Sequence, residues 1–251
     1  MRLCSNIPVA NAARTWAAIT VRSTTMKLMS AMNKPKLLDL FCGAGGCSVG
    51  YARAGFEVRG IDIEPHRDYP FEIKIADAMD FDTFRDWIDW ADVIHASPPC
   101  PRYSRMTAVS GNRDNHPDFI EPLIDLLDEI GKPYVIENVP GAPIDNPLTL
   151  CGSSFGLRVR RHRLFYSNRA LLGLPCDHKS QGRAIGVYGN QTGSYEYQLA
   201  RYARIGRDYG IRASSVADAQ DALGIDWMSR WDDLTDSIPP AYTEFIGRQL
   251  C

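Results

Sequence analysis

The sequence predicts an α/β fold, a mostly parallel sheet flanked by helices, on three observations. An apolar run with one acid, Lys36-Leu37-Leu38-Asp39-Leu40-Phe41, meets a glycine-rich turn, Cys42-Gly43-Ala44-Gly45-Gly46, then a short helical stretch and a second apolar run. A later run, Trp90 to Ala96, stops at Ser97-Pro98-Pro99-Cys100. An amphipathic segment from Pro117 to Ile130 precedes a further apolar run from Pro133 to Pro140. Short apolar runs alternating with helical patterns suit buried strands joined by crossover helices.

Composition narrows the class. A chain of 251 residues holds one large domain, or one domain with a small insert, and can bury a sizeable core. The formal net charge is −2, so any basic surface for nucleic acid must be local. Seven cysteines (Cys4, Cys42, Cys47, Cys100, Cys151, Cys176 and Cys251) are an odd number without dense spacing. That pattern points to free thiols in a reducing compartment. No apolar run reaches membrane-spanning length, so no membrane is expected as a partner.

Residues 1–34 carry Arg2, Arg14, Arg22, Lys27 and Lys34 and no acid. They read as a disordered extension, or as translation counted from an upstream start, with Met26, Met29 and Met32 nearer the first strand. The acid-poor composition also suits a transit peptide. The first strand opens at Lys36. The glycines after it let backbone approach a ligand and open a helix N-terminus, with Ser48 to Ala54 as the helix and Gly55 as its stop. Phe56 to Ile63 is the second strand, and Asp62 near its tip lies roughly 20 residues after the Gly-x-Gly turn, as suits the ribose of a nucleoside ligand. No Gly-Lys-Ser/Thr follows the turn, which excludes a P-loop. A third strand, Glu72 to Ala76, ends at Asp77.

At Ser97-Pro98-Pro99-Cys100-Pro101 the prolines fix the backbone around the cysteine. The thiol is held on a stiff turn at the carboxyl end of a strand, where open α/β sheets bind ligands. Arg102 to Asn115 is polar, holds Arg102, Arg105 and Arg113, and reads as a long loop of the kind that closes over a site. The helix from Pro117 ends at Gly131, and the next strand ends at Glu137-Asn138. Successive strands joined by one helix are often neighbours, so Cys100 and Glu137 could share a pocket. A desolvated carboxyl there suits a general acid, and a cysteine beside arginines suits a nucleophile. A buried loop thiol and a salt-bridged structural carboxylate are the plainer alternatives.

Five stretches, in order, resemble the DNA cytosine C5-methyltransferase family. They are Asp39-Leu40-Phe41-Cys42-Gly43-Ala44-Gly45-Gly46, Ser97-Pro98-Pro99-Cys100, Glu137-Asn138-Val139, Arg161-His162-Arg163-Leu164-Phe165 and Ser237-Ile238-Pro239-Pro240-Ala241-Tyr242. The resemblance implies an α/β fold built on a Rossmann-like S-adenosylmethionine methyltransferase sheet, with helices on both faces and a small target-recognition insert. It divides the chain into an extension (1–34), a catalytic and cofactor-binding domain (35–167), a target-recognition region (168–211) and a C-terminal segment returning to the catalytic domain (212–251).

The implied cofactor is S-adenosyl-L-methionine. The family pattern puts Phe41, Gly43, Ala44 and Gly45 at its methionine end, Asp62 on the ribose with Glu64 close enough to compete, Asp77 at the adenine amino group, and Pro98 in the same site. Cys100 would attack C6 of a flipped-out cytosine. Glu137 would hold and protonate N3, Asn138 would order the strand end, and Arg163 supported by Arg161 would contact the base or the catalytic loop. The implied partner is double-stranded DNA, with a cognate restriction endonuclease acting separately. The implied setting is a monomer in the cytoplasm of a bacterial or phage-infected cell. The same chemistry on tRNA, as one branch of the family performs, and an inactive nucleic-acid-binding relative remain alternatives.

The chemistry agrees with the residue types. Cytosine C5 is a poor nucleophile and needs covalent activation by a soft thiolate. Amino-group methylation needs no cysteine and uses an Asn/Asp-Pro-Pro-aromatic motif, which Ser97-Pro98-Pro99-Cys100 is not. Four positions depart from the family pattern: Pro101 and Val159 each stand where Gln is usual, and Thr235-Asp236 stands for Gly-Asn. The recognition region carries Arg183, Tyr188, Asn190, Gln191, Tyr195, Tyr197, Arg201, Tyr202, Arg204 and Arg207, residue types suited to phosphate and base-edge contacts. Its Cys176 and His178 are followed by no second Cys/His pair at zinc spacing, so the sequence assigns no metal. Val216 to Met228 reads as a helix packing back on the sheet, and Tyr242 to Leu250 as the closing helix.

Overall fold

The computed structural model describes residues 34–99, 118–189 and 211–251. Cys100, the loop from Arg102 to Asn115, most of the N-terminal extension, and residues 190–210 lie outside the described residues.

The sheet has seven strands: β1 (Lys36–Leu40), β2 (Glu57–Asp62), β3 (Glu72–Ile75), β4 (Val93–Ala96), β5 (Tyr134–Asn138), β6 (Leu148–Leu150) and β7 (Arg163–Ser167). Their spatial order is β3-β2-β1-β4-β5-β7-β6. The first five run parallel, and β7 is antiparallel to both β5 and β6. The order reverses between β1 and β4, the switch point at which such sheets bind ligands. Leu40 pairs with Ile61 and Ala96, and Ala96 pairs with Ile136. The carboxyl ends of β2, β1, β4 and β5 therefore finish along one edge.

Helices cover both faces. They are α1 (Gly46–Ala54), α2 (Arg85–Trp90), α3 (Ile120–Ile130), α4 (His178–Gln181), α5 (Val216–Leu223), α6 (Trp231–Asp236) and α7 (Pro240–Leu250). Leu38, Leu40, Ile94, Tyr134 and Ile136 pack with Phe84, Trp87, Leu123 and Leu127 from the α2 and α3 side. Leu37, Val93 and Val135 pack with Tyr51 of α1 and with Tyr242 and Ile246 of α7. Side chains alternate across a strand. Asp39, His95 and Glu137 consequently fall on the α1 and α7 face, and all three are buried.

Several boundaries differ from the sequence expectation for local reasons. Trp90 closes α2 and does not open β4. The Lys132 ammonium donates to the carbonyls of Ile88, Asp89 and Ala91, which satisfies that helix end. Helix α1 starts at Gly46, because Gly45 adopts φ 89 as its N-cap, a backbone shape that costs other residues. Helix α7 starts at Pro240, and proline suits a first-turn position that needs no N–H. Helix α5 ends at Leu223, five residues short of Met228, where Gly224 turns left-handed. A separate small parallel pair joins β8 (Ile185–Gly186) to β9 (Ile211–Arg212). Among the described residues no helix is long and apolar enough to cross a membrane.

Candidate active site

The strand ends surround a cavity of about 1230 Å³, larger than the roughly 300–1000 Å³ typical of a site for one small ligand. Phe41, Gly43, Ala44, Asp62, Glu64, Asp77, Pro98, Glu137, Arg161 and Arg163 all line it. Its acids come from both sides: Asp39, Asp62, Glu64 and Asp77 from the ends of β1, β2 and β3 and the short segments after them, and Glu137, Asp232, Asp233 and Asp236 from β5 and the C-terminal segment. Its arginines (Arg160, Arg161, Arg163, Arg183 and Arg230) come from the β7 side and the C-terminal segment. The β1–β3 wall thus suits a cation, while the opposite wall mixes arginines with acids.

On the acidic side, Phe41 takes φ 58 and Gly43 φ 50, turning the chain so that the Gly43 N–H donates to Asp62 Oδ2 at 2.9 Å. The Glu64 N–H donates to Asp62 Oδ1 at 3.1 Å, and His66 Nε2 lies 3.3 Å from the same oxygen. Asp62 is thus oriented by its own turn, while Glu64 is exposed. Asp77 Oδ1 accepts from the Met79 N–H at 2.9 Å. Gly45 does not line the cavity; it caps α1. The Ala44 carbonyl accepts from Trp227 Nε1 at 2.9 Å, tying the turn to the C-terminal segment.

Asp39 is the acid whose importance the sequence reading left undeveloped. It is fully buried: Oδ2 accepts from the Ser48 hydroxyl, and Oδ1 has no hydrogen-bond partner among the described residues. Burial raises its pKa to about 7 against the opposing Ser48 bond, and Asp62 adds to the rise. Period-2 alternation in β1 would have flagged it, since Asp39 interrupts an otherwise apolar buried face.

On the opposite side, Glu137 is 4% exposed. Arg163 Nε lies 3.0 Å from Glu137 Oε1, yet that oxygen makes no properly directed hydrogen bond. Burial and the arginine pull in opposite directions, and burial dominates: the carboxyl is pushed up to about 7, against Arg163, Ser97 and Arg161. At neutral pH it can carry a proton. Asn138 Nδ2 donates to the Pro98 carbonyl at 3.1 Å, so the end of β5 holds the turn leading to Cys100. His95 bridges Tyr51 Oη (3.0 Å) and Ser97 Oγ (2.9 Å) beneath that turn. Burial drops its pKa to about 3, so its ring is neutral at working pH. Cys47 also lines the cavity. Burial, with the Asp39 and Glu137 carboxyls, pushes its thiol well up, which makes it a poor nucleophile.

Arg161 is a clamp. With φ 33, it donates through one terminal nitrogen to the carbonyls of Leu234 (3.1 Å) and Ser237 and through the other to that of Val187. Tyr242 Oη donates to the carbonyls of Arg160 (3.1 Å) and Arg161 (2.9 Å) behind it. Asp236 lines the same cavity, and burial raises its pKa against the pull of Arg161.

A parallel sheet in this order, with a cavity across its switch point, is a Rossmann-like α/β architecture. Residues 35–144 match the family model for the C-5 cytosine-specific DNA methylase. The type II methyltransferase M.AplI of Arthrospira platensis is 32% identical over 111 residues, 42% of this chain and 31% of that protein. The chain thus spans under a third of that relative's length. Among solved structures, an E. coli prophage-encoded protein described as a DNA modification methyltransferase superposes with a TM-score of 0.56 at 15% identity, covering 86% of this chain and 98% of that one. The Dnmt2 methyltransferase of S. pombe gives 0.56 at 12% identity, covering 87% and 98%. At these identities the likeness is one of fold.

Proposed function

We propose that the chain transfers a methyl group from S-adenosylmethionine to C5 of cytosine in DNA. The observation that carries this reading is Glu137. It is a buried carboxyl able to hold a proton at neutral pH, placed beside Arg163 and the turn that leads to Cys100. The residues present fit the cofactor. Asp39 Oδ1 is an unpartnered buried acceptor on a cavity-lining residue, suited to the ammonium of the methionine end. Gly43 lines the same cavity, and a Cβ built on it would meet nothing within 4 Å, leaving a cradle for close approach. Asp62 and Asp77 line the same cavity, and their carboxylates suit the ribose hydroxyls and the adenine amino group respectively.

When bound, the cofactor supplies an electrophilic methyl on a sulfonium, which needs no metal. The Cys100 thiolate supplies the electron pair for a bond to cytosine C6. Glu137 passes its proton to N3, so the ring electrons gather at C5 without net charge on the base. After C5 is methylated, its proton leaves to solvent, the S–C6 bond breaks, and Cys100 and Glu137 are restored. Arg163 holds Glu137 in place and favours its ionised form once the proton has moved. In duplex DNA the target base must leave the stack, and the arginine-lined wall suits the flanking phosphates.

The test is methyl transfer from labelled S-adenosylmethionine to mixed-sequence duplex DNA, wild type against Cys100→Ser, with base-resolved sequencing. Label on cytosine C5 that vanishes in the variant supports the reading and gives the recognition site. Label on tRNA and none on DNA moves the substrate to RNA. A folded, cofactor-binding chain that labels neither refutes the enzyme reading in favour of a binding protein.

A further inference from the structure

Four side chains that the reaction does not use converge behind the arginine turn. Cys151 follows β6, His162 lies between Arg161 and Arg163, and Cys176 and His178 flank Asp177 at the head of α4. Their ligand atoms all lie within 4.8 Å of one another. Cys151 Sγ is 3.3 Å from His178 Nε2, and Cys176 Sγ is 3.4 Å from His162 Nε2. The two imidazoles stand edge to face, 5.2 Å between centroids.

We propose that Cys151, His162, Cys176 and His178 bind one zinc ion as a tetrahedral two-sulfur, two-nitrogen site. Zinc bonds of about 2.3 Å to sulfur and about 2.0 Å to nitrogen give tetrahedral edges of about 3.3–3.8 Å, which the two sulfur–nitrogen contacts already match. The donor set is soft, contains no carboxylate, and selects zinc over magnesium or calcium. Two thiolates and two neutral imidazoles cancel the charge of a divalent ion. That cancellation matters because Cys151 is fully buried and a lone thiolate there would be costly. The Ser153 hydroxyl donates to Cys151 Sγ at 3.1 Å and is itself fixed by the Asp177 N–H at 3.0 Å, the kind of outer hydrogen bond that orients metal ligands. All four positions come from protein, so the site is structural and not catalytic.

Its place in the fold gives its use. The ion would fasten the end of β6 and the turn carrying Arg161 and Arg163 to the opening of the recognition region. The sequence reading looked for a second pair after Cys176 and His178. The pair instead comes from upstream, from Cys151 and His162, which regular strands bring back to the same spot.

The untagged full-length chain, expressed in zinc-supplemented medium and dialysed without chelator, is analysed by mass spectrometry for metals and by zinc X-ray absorption. About one zinc per chain is expected, with two sulfurs near 2.3 Å and two nitrogens near 2.0 Å. Cys176→Ser and His178→Ala should each lose most of that zinc. The absorption spectrum of the wild type reads the ligands even if a variant fails to fold. Absence of zinc from a chain that binds S-adenosylmethionine overturns the proposal. So does a metal shell without sulfur, full zinc content in both variants, or a Cys151–Cys176 disulfide in the non-reduced peptide map. No outcome depends on turnover.

Discussion

Replacing Glu137 by Gln tests the buried acid by two independent readouts. In the wild type, burial lifts the carboxyl from 4.5 to about 7 although Arg163 stands 3.0 Å away. If the protonated form is the working one, the ratio of wild-type to Glu137→Gln kcat/KM at saturating cofactor, in which the Cys100 ionisation cancels, is flat below pH 7 and falls about tenfold per pH unit above it, to about a hundredth of its low-pH value at pH 9. Gln keeps the size of Glu and can still donate to N3, but cannot release a proton. Its kcat/KM should drop about 10²–10⁴-fold at pH 6 and keep only the pH dependence of the Cys100 thiol, with no falling limb near pH 7. Stability gives the second readout. A pKa higher in the folded than in the unfolded chain stabilises fully below pH 4.5, and that contribution disappears as pH climbs through 7. The gap corresponds to ~3 kcal/mol, so Glu137→Gln should gain on the wild type by about that much between pH 4.5 and pH 8. Single-turnover methyl transfer and thermal melts at fixed ionic strength measure both. A falling limb near pH 7 that persists in the variant would refute the assignment and move the titration to another group, Asp39 first.

Asp39→Asn removes the unpartnered carboxylate and should weaken S-adenosylmethionine binding about 10–100-fold by calorimetry. Its melting temperature at pH 8 should not fall, since a buried charge becomes a neutral isostere. Gly50→Ala drives a methyl into Thr243 Oγ1 and the Pro240 carbonyl, parting α1 from α7. Denaturant melts should show a loss of ~1–3 kcal/mol. Arg161→Met strips the donors from three carbonyls, each costing ~1–3 kcal/mol when orphaned. Arg161→Lys should recover little, because one ammonium does not reproduce the planar fork.

Much of this site can be read from the sequence because strand ends announce themselves. Asp62, Asp77 and Glu137 close apolar runs at points where the chain must turn, and the parallel register of β2, β1, β4 and β5 brings those ends to one edge. Gly45 lies outside the cavity lining for a reason equally local: its left-handed backbone serves the helix start. The antiparallel β7 was hidden because the run Arg163 to Ser167 was read for its arginine motif. Its strand character depends on β5 and β6 lying on either side. Asp39 and His95 were passed over because a polar residue inside an apolar run looks like noise until the alternation of β1 and β4 is followed to one shared face. The Cys/His cluster shows only half of itself in the sequence, as Cys176 and His178. Its members are separated by strand, turn and loop, so only the closed fold supplies the geometry.

Three consecutive residues show how the fold joins these functions. Arg161 turns inward to the backbone of the C-terminal segment and β8. His162 turns away to Cys176. Arg163 turns to Glu137. Side chains at successive positions of an extended strand would point to only two faces. The third direction comes from the left-handed backbone at Arg161, φ 33, a conformation that costs a non-glycine residue of order 1–3 kcal/mol. The guanidinium bonds of Arg161 and the Tyr242 hydroxyl donating to its carbonyl and to that of Arg160 offset this cost. A glycine at this position would relieve the strain and lose the clamp. The arginine therefore both sets the turn and holds it, and the positions of Arg163, the partner of Glu137, and of one proposed zinc ligand follow from that one residue.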